Sequence, residues 1–135
     1  MKSNTQRKIL SRSFGMTKQE LWTENLEFYQ ELVTKYKLAM QPMIQLIHYF
    51  DKIGICEKYF PSNSHESLGL STGKNFEERL SVPMVYITYQ PRTNTFKLDF
   101  RKGQEKKIKE EDCGPDFDDL TILKIDNWLS NTNQF

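Results

Sequence analysis

The chain has 135 residues, of which 37% are hydrophobic and 27% are charged, and its formal net charge is +1. This composition is too apolar for a disordered chain, and no uninterrupted apolar run is long enough to cross a bilayer. The length suits one domain around one core, and near neutrality gives the whole molecule no electrostatic preference for nucleic acid or an anionic membrane. We therefore expect a soluble domain without a membrane partner, in which local charge patches decide what it binds.

The N-terminal residues differ in composition from the rest of the chain. Residues 1–14 carry basic and hydroxyl side chains without any acid, and they lack the apolar segment of a secretion signal. We interpret residues 1–14 as a flexible basic tail and residues 15–135 as a single domain.

The two cysteines indicate a compartment. Cys56 and Cys113 are far apart in sequence, and neither has a second cysteine nearby with which to form a metal knuckle or a redox pair. This arrangement predicts two free thiols in a reducing environment, and hence a cytoplasmic protein.

Two helices are predicted at the start of the domain. Thr17 and Glu20 have the T-x-x-E spacing of a capping box, so the first helix begins there. The helix follows a stripe of apolar side chains towards Pro42, which ends or kinks it. The stripe consists of Trp22, Leu26, Tyr29, Val33, Tyr36 and Met40. Pro42 also suits the first turn of a second helix, MIQLIHYFDKIG, which Gly54 closes.

The segment from Ile55 to Ser81 gives weaker signals. Turn-forming residues predict one loop over 61–64 and another between Gly69 and Gly73. ESLGLST is compatible with a short edge strand and NFEERL with a helical turn, and the sequence leaves strand, helix and loop open throughout this segment.

The stretch VYITYQPRTNTFKLDFRKG predicts a β-hairpin over residues 84–101, with its turn at 91–94. Side chains of the two arms alternate, so that one face belongs to the core. The predicted core face contains Val85, Ile87, Tyr89, Phe96, Leu98 and Phe100. The other face suits either solvent or a partner protein, and it contains Tyr86, Thr88, Lys97, Asp99 and Arg101.

The C-terminal third begins with an almost wholly charged segment, KGQEKKIKEEDCGP, which predicts a solvated third strand flanked by loops. DFDDLTILKIDNWLSN then favours a helix with Asp116 as its N-cap, although LTILKI also suits a buried strand. The predicted fold is therefore α+β, with two N-terminal helices packed on a small antiparallel sheet and a C-terminal helix.

Catalytic groups are sparse in the sequence. The only histidines are His48, which lies in an apolar helical segment and is interpreted as structural, and His65, which lies in a predicted loop. No nucleophile elbow accompanies His65, the zinc-ligand spacing is missing, and GLSTGK departs from the phosphate-loop pattern. We predict no enzyme activity, no metal and no cofactor. A small enzyme that uses His65 with a cysteine or a carboxylate is one alternative.

A nucleic-acid-binding protein is a second alternative. The basic tail together with Tyr86, Lys97 and Arg101 on the hairpin partly resembles an open sheet that binds single strands. Asp99 in the middle of that face opposes this interpretation, so nucleic acid is a less favoured partner than protein.

Charge segregation is the feature that favours a protein partner. A basic run over 97–109 is followed at once by an acidic run. An alternative interpretation is that these charges lie in solvated loops beside a helix. An acidic patch can dock on a basic surface and accelerate association. We therefore predict a small protein-binding domain, of the bacterial immunity or antitoxin type, which occludes the active site of a partner toxin such as a nuclease. The predicted partner-binding residues are Glu110, Glu111, Asp112, Asp116, Asp118 and Asp119, with Tyr86, Lys97, Asp99 and Arg101.

Overall fold

The computed structural model describes residues 15–131, so the predicted tail lies outside the described residues. Within them the fold is α+β, as predicted, with five helices and a five-stranded antiparallel sheet. In chain order the elements are α1 (Lys18–Thr34), α2 (Gln41–Lys52), α3 (Ile55–Lys58), β1 (Phe60–Ser64), β2 (Ser67–Ser71), α4 (Phe76–Arg79), β3 (Met84–Gln90), β4 (Thr95–Arg101), β5 (Lys107–Cys113) and α5 (Asp119–Ser130). None of these helices is both long and apolar enough to cross a lipid bilayer.

The first helix begins where the sequence predicts but ends earlier. The backbone N–H of Glu20 donates to Thr17 Oγ1, and the backbone N–H of Thr17 donates to Glu20 Oε1, both at 3.1 Å, which confirms the capping box. The predicted continuation to Pro42 is wrong, because α1 ends at Thr34. Lys37 adopts a positive φ of 57°, and this left-handed residue reverses the chain.

The second helix is confirmed. Pro42 lies in its first turn, and Gly54 follows its end with a φ of 89°, a conformation that glycine adopts readily. One side of α2 enters the core through Met43, Ile44, Leu46, Ile47 and Phe50.

The sheet has the strand order β1-β2-β3-β4-β5. Two predictions about its first half are wrong: residues 61–64 belong to β1 rather than a loop, and β2 lies between β1 and β3 rather than at an edge. Turn-forming residues are tolerated in β1 because it is the edge strand, where the missing N–H of Pro61 leaves the ladder intact. The predicted helical turn at NFEERL is confirmed as α4, and the solvated third strand as β5.

The hairpin is confirmed with its predicted turn, and Ile87 pairs with Leu98 at its centre. Its core face is buried as predicted, except that Tyr89 is half-buried; the fully buried members are Val85, Ile87, Phe96, Leu98 and Phe100. The predicted arrangement of the helices differs in detail, because α1 packs chiefly on β1 and α2. Asn25 Nδ2 on α1 donates to Asn63 Oδ1 on β1 at 2.8 Å, which fixes this contact.

The C-terminal segment is a helix, and the strand alternative is wrong. Its N-cap is Asp118, whose carboxylate accepts the backbone N–H of Thr121 at 2.7 Å, so the predicted cap at Asp116 is also wrong. Phe117 explains the later start, because its ring is buried 5.1 Å from the ring of Phe96 and the chain turns into the helix only after it. At the other end, Trp128 Nε1 donates to the backbone carbonyls of Met84 and Arg101, which holds α5 against the sheet.

Candidate functional site

The predicted acidic run does not form a single patch. Successive residues of a strand face opposite sides of the sheet. Glu110 and Asp112 on β5 therefore face one side and Glu111 the other, where the helices lie. Asp116, Asp118 and Asp119 are carried separately, by the turn before α5 and by its first residues.

The acids on β5 are neutralised by neighbouring lysines. Glu110 pairs with Lys107 and, at 3.7 Å, with Lys97, and the Lys107 hydrogen bond is the main reason that its pKa is lowered. Glu111 pairs with Lys124 at 2.8 Å, and this hydrogen bond is the main cause of its own lowered pKa. Since these acids have cationic partners within the chain, a basic partner protein gains less from them.

Asp112 is not part of these ion pairs. Its carboxylate accepts a hydrogen bond from Gln90 Nε2 at 3.1 Å, which links the edge of the sheet to the end of β3. Asp118 is also engaged, since its pKa is lowered by the hydrogen bond from Thr121 at the start of α5.

The first turn of α5 carries an exposed apolar pair. Leu120 is 68% exposed, more than any other large hydrophobic side chain among the described residues, and Leu123 is 54% exposed. Residues three apart share one helix face. Asp119 directly precedes Leu120, and Asp116 lies in the turn before the helix; both are exposed and make no ion pair with any residue in the 15–131 range. We call Asp116, Asp119, Leu120 and Leu123 the α5 surface.

Sequence reasoning missed the two leucines. The signal was present, because the apolar residues of LTILKI do not fall on a single stripe, and some of them must therefore face solvent once the segment is helical. Ile125 is buried in the core, whereas Leu120 and Leu123 are exposed.

The second face of the hairpin is less open than predicted. Tyr86 and Asp99 are each only 7% exposed, so the expectation that they face solvent is wrong. Tyr86 lies across Gly69 of β2, where an added Cβ would stand 2.8 Å from its Cε1 atom. The guanidinium of Arg101 stacks on the Tyr86 ring at 5.2 Å and donates from Nη2 to Asp99 Oδ2 at 2.8 Å.

These contacts bear on the nucleic-acid-binding alternative for that face. Tyr86 and Arg101 were the candidate stacking and phosphate-binding groups of a nucleic-acid site, but each is the other's neighbour within the chain. Lys97 remains accessible, with 38% of its side chain exposed, and is paired with Glu110.

A groove is lined by β1, with a volume of about 740 Å³. We call it the β1 groove. One wall comes from α1, the other from the segment containing α4, and β1 contributes the floor. Its lining residues are Leu21, Glu24, Asn25, Phe28, Pro61, Ser62, Asn63, Lys74, Asn75, Phe76, Glu77 and Arg79.

The histidines and cysteines do not line the β1 groove and are not part of the α5 surface. His48 is on the exposed side of α2 despite its apolar surroundings in sequence, and His65 has a φ of 57° in the turn between β1 and β2. Both cysteines are free; burial raises the pKa of Cys56 to about 12 and that of Cys113 to about 11, which disfavours the nucleophilic thiolate. Within residues 15–131 no three His, Cys, Asp or Glu side chains are grouped as metal ligands.

No protein-family model matches the chain, and neither curated proteins nor solved structures include a significant match to it.

Proposed function

We propose that this domain binds another protein through the α5 surface and acts as an inhibitor of the immunity or antitoxin type, covering the active site of a partner toxin. The observation that carries the proposal is the pair of exposed leucines, Leu120 and Leu123, near the start of a helix where Asp116 and Asp119 are exposed and have no ion-pair partner among the described residues. Protein interfaces commonly combine an apolar centre with a polar rim.

The leucines supply affinity in this proposal. Burying an exposed leucine side chain contributes roughly 1.5–3 kcal/mol from the hydrophobic effect. Their spacing of three residues presents them together to one apolar pocket of the partner.

The acids supply association rate and specificity. Asp116 and Asp119 have no cation of their own chain to neutralise them among the described residues, so their field is directed outwards. A partner with a basic rim would be steered towards the leucines by this field. Enzymes that cleave nucleic acids need basic clefts for their polyanionic substrates, which supports a toxin nuclease as the partner class.

The α5 surface is supported by a rigid helix. Trp128 Nε1 is bonded to two backbone carbonyls of the sheet, at 3.1 and 3.0 Å, and the hydroxyl of Tyr59 donates to Asp126. A helix held at several points loses little conformational freedom on binding, so more of the contact energy appears as affinity.

The proposal is tested by affinity capture from the host cell with wild-type protein and with Leu120→Lys, followed by mass spectrometry. The matched control is Tyr36→Lys, because Tyr36 is 57% exposed and lies outside the α5 surface. We expect a partner that wild type and the control capture and Leu120→Lys does not. The captured partner should be toxic when produced alone and harmless when co-produced with the wild-type domain. A partner retained equally by Leu120→Lys contradicts the assignment of the surface, and a partner without toxicity contradicts the inhibitor class.

A further inference from the structure

The β1 groove contains an open strand edge. Among residues 15–131, β1 is paired only with β2, so one row of its backbone groups faces away from the sheet. Residues of an antiparallel pair alternate between hydrogen-bonded and non-hydrogen-bonded positions, and Pro61, which has no N–H, suits the second kind. Asn63 lies two residues further on and is therefore also at a non-hydrogen-bonded position. The carbonyls of Pro61 and Asn63, with the N–H of Asn63, therefore point away from β2, and both residues line the groove.

The walls of the groove provide apolar contacts. Leu21 and Phe28 project from α1, and Phe76, which is 50% exposed, projects from α4 on the opposite side. The volume of about 740 Å³ is within the range of roughly 300–1,000 Å³ that is typical of binding sites. An extended segment placed along β1 would fill the space between these walls with its side chains.

Arg79 sets the charge of the inner end of the groove. Its Nε donates to Gln104 Oε1 at 2.9 Å and its Nη1 to the carbonyl of Lys74 at 3.4 Å, so both acceptors are neutral. It makes no ion pair with any described residue, although it is half-buried. Burial lowers the pKa of Arg79, an effect that the nearby Tyr86 and Glu78 partly offset, and an incoming carboxylate would stabilise this partly desolvated guanidinium further. Lys74 adds a second cation to the lining, which also includes the carboxylates of Glu24 and Glu77.

We infer that the β1 groove is a second binding site, which accepts an extended peptide segment that pairs with the free edge of β1 and places a carboxylate against Arg79. Addition of a strand to a sheet edge is a recurrent mode of peptide recognition, in which main-chain hydrogen bonds provide affinity and side-chain pockets provide specificity. The site is separate from the α5 surface and does not depend on the function proposed for it.

The experiment uses a phage-displayed library of random octapeptides, selected on the full chain. Selected peptides are synthesised, and their affinities are measured by fluorescence anisotropy for wild type, Arg79→Gln, and Arg92→Gln as the matched control in the exposed hairpin turn. We expect enriched peptides with an acid at one fixed position. Arg79→Gln should weaken their binding at least tenfold and Arg92→Gln should not change it. Replacing the peptide's acid by its amide should cause the same loss on wild type and little further loss on Arg79→Gln.

Phe76→Asp provides a second variant, because it leaves the hydrogen bonds of Arg79 intact and also should weaken binding at least tenfold. The amide resonances of residues 60 and 62–64 should shift on binding. Several outcomes overturn the inference: no peptide is enriched, the enriched peptides lack an acid, or Arg79→Gln binds them as wild type does. Inorganic phosphate that binds at Arg79 when no peptide is enriched would make the groove a small-anion site instead. Peptides lost on Leu120→Lys but retained on Arg79→Gln would support the α5 surface and contradict this groove site.

Discussion

The carboxylate of Asp118 accepts the backbone N–H of Thr121 at 2.7 Å, and this bond begins the helix that carries the α5 surface. Asp118→Ala should lower the melting temperature, because it leaves an N–H of the first turn without a partner. Asp116→Ala should leave the melting temperature unchanged, since Asp116 does not cap the helix. Thermal melts followed by circular dichroism compare the two variants. Equal losses for both would contradict the assignment of the cap.

The core face of the hairpin is tested at Leu98, which is 1% exposed. Leu98→Ala should reduce the free energy of unfolding by roughly 2–5 kcal/mol, the range for truncating a buried leucine. Leu120→Ala is the matched control, and it should change stability by no more than about 0.5 kcal/mol because the side chain is exposed. Urea unfolding curves measure both. If Leu98→Ala is as stable as wild type, this face of the hairpin does not belong to the core.

The hairpin was predictable because its signal is local. The apolar alternation that includes Val85, Ile87, Leu98 and Phe100 can be recognised from neighbouring residues within each strand. The capping box of α1 is equally short-range. Strand β1 was missed because its proline, serine and asparagine residues have turn chemistry, and its extended conformation is fixed by distant partners. Asn25, for example, lies 38 positions from the Asn63 side chain that it binds.

The candidate site was predictable only in part, for a related reason. The acidic run was visible, but which of its members have lysine partners depends on the pairing of β4 with β5 and on the position of α5. The burial of Tyr86 depends on a glycine in another strand, Gly69, which leaves space for the ring. Neither relationship has a signature within one segment of sequence.

Gly69 makes that burial testable. A methyl group at this position would stand 2.8 Å from Tyr86 Cε1 and would also contact Ser62 Oγ, so Tyr86 would have to move. Gly69→Ala should therefore cost about 1–3 kcal/mol, as overpacking does. Gly15→Ala is the control, because no atom of the described residues lies within 4 Å of a Cβ there. Chemical denaturation measures the free energy of unfolding of both variants. If Gly69→Ala is as stable as wild type, the Tyr86 ring is not held against β2.

The ion pair of Glu111 and Lys124 predicts a pH dependence. The folded state lowers the pKa of Glu111 below the ordinary 4.5, chiefly through the hydrogen bond from Lys124. A lowered acid pKa contributes stability above the unfolded value, and this contribution is lost as the pH falls through the folded value. Lys124→Ala should therefore lose less stability than wild type when the pH is lowered from about 7 to about 3.

Lys106→Ala provides the control for this pH dependence, since Lys106 is exposed and makes no ion pair with a described residue. Its loss of stability on acidification should equal that of wild type. An unchanged pH dependence in Lys124→Ala would mean that the pair does not form in solution.

The central claim, that the α5 surface binds a partner protein, is tested most directly by binding kinetics with the captured partner. Leu120→Ala combined with Leu123→Ala should increase the dissociation rate and weaken affinity by at least about tenfold, because the apolar centre is lost. Asp116→Lys combined with Asp119→Lys should chiefly slow association and reduce its salt dependence. Affinity and association rate that remain at wild-type values in both double variants, with melting temperatures unchanged, would contradict the assignment of this surface.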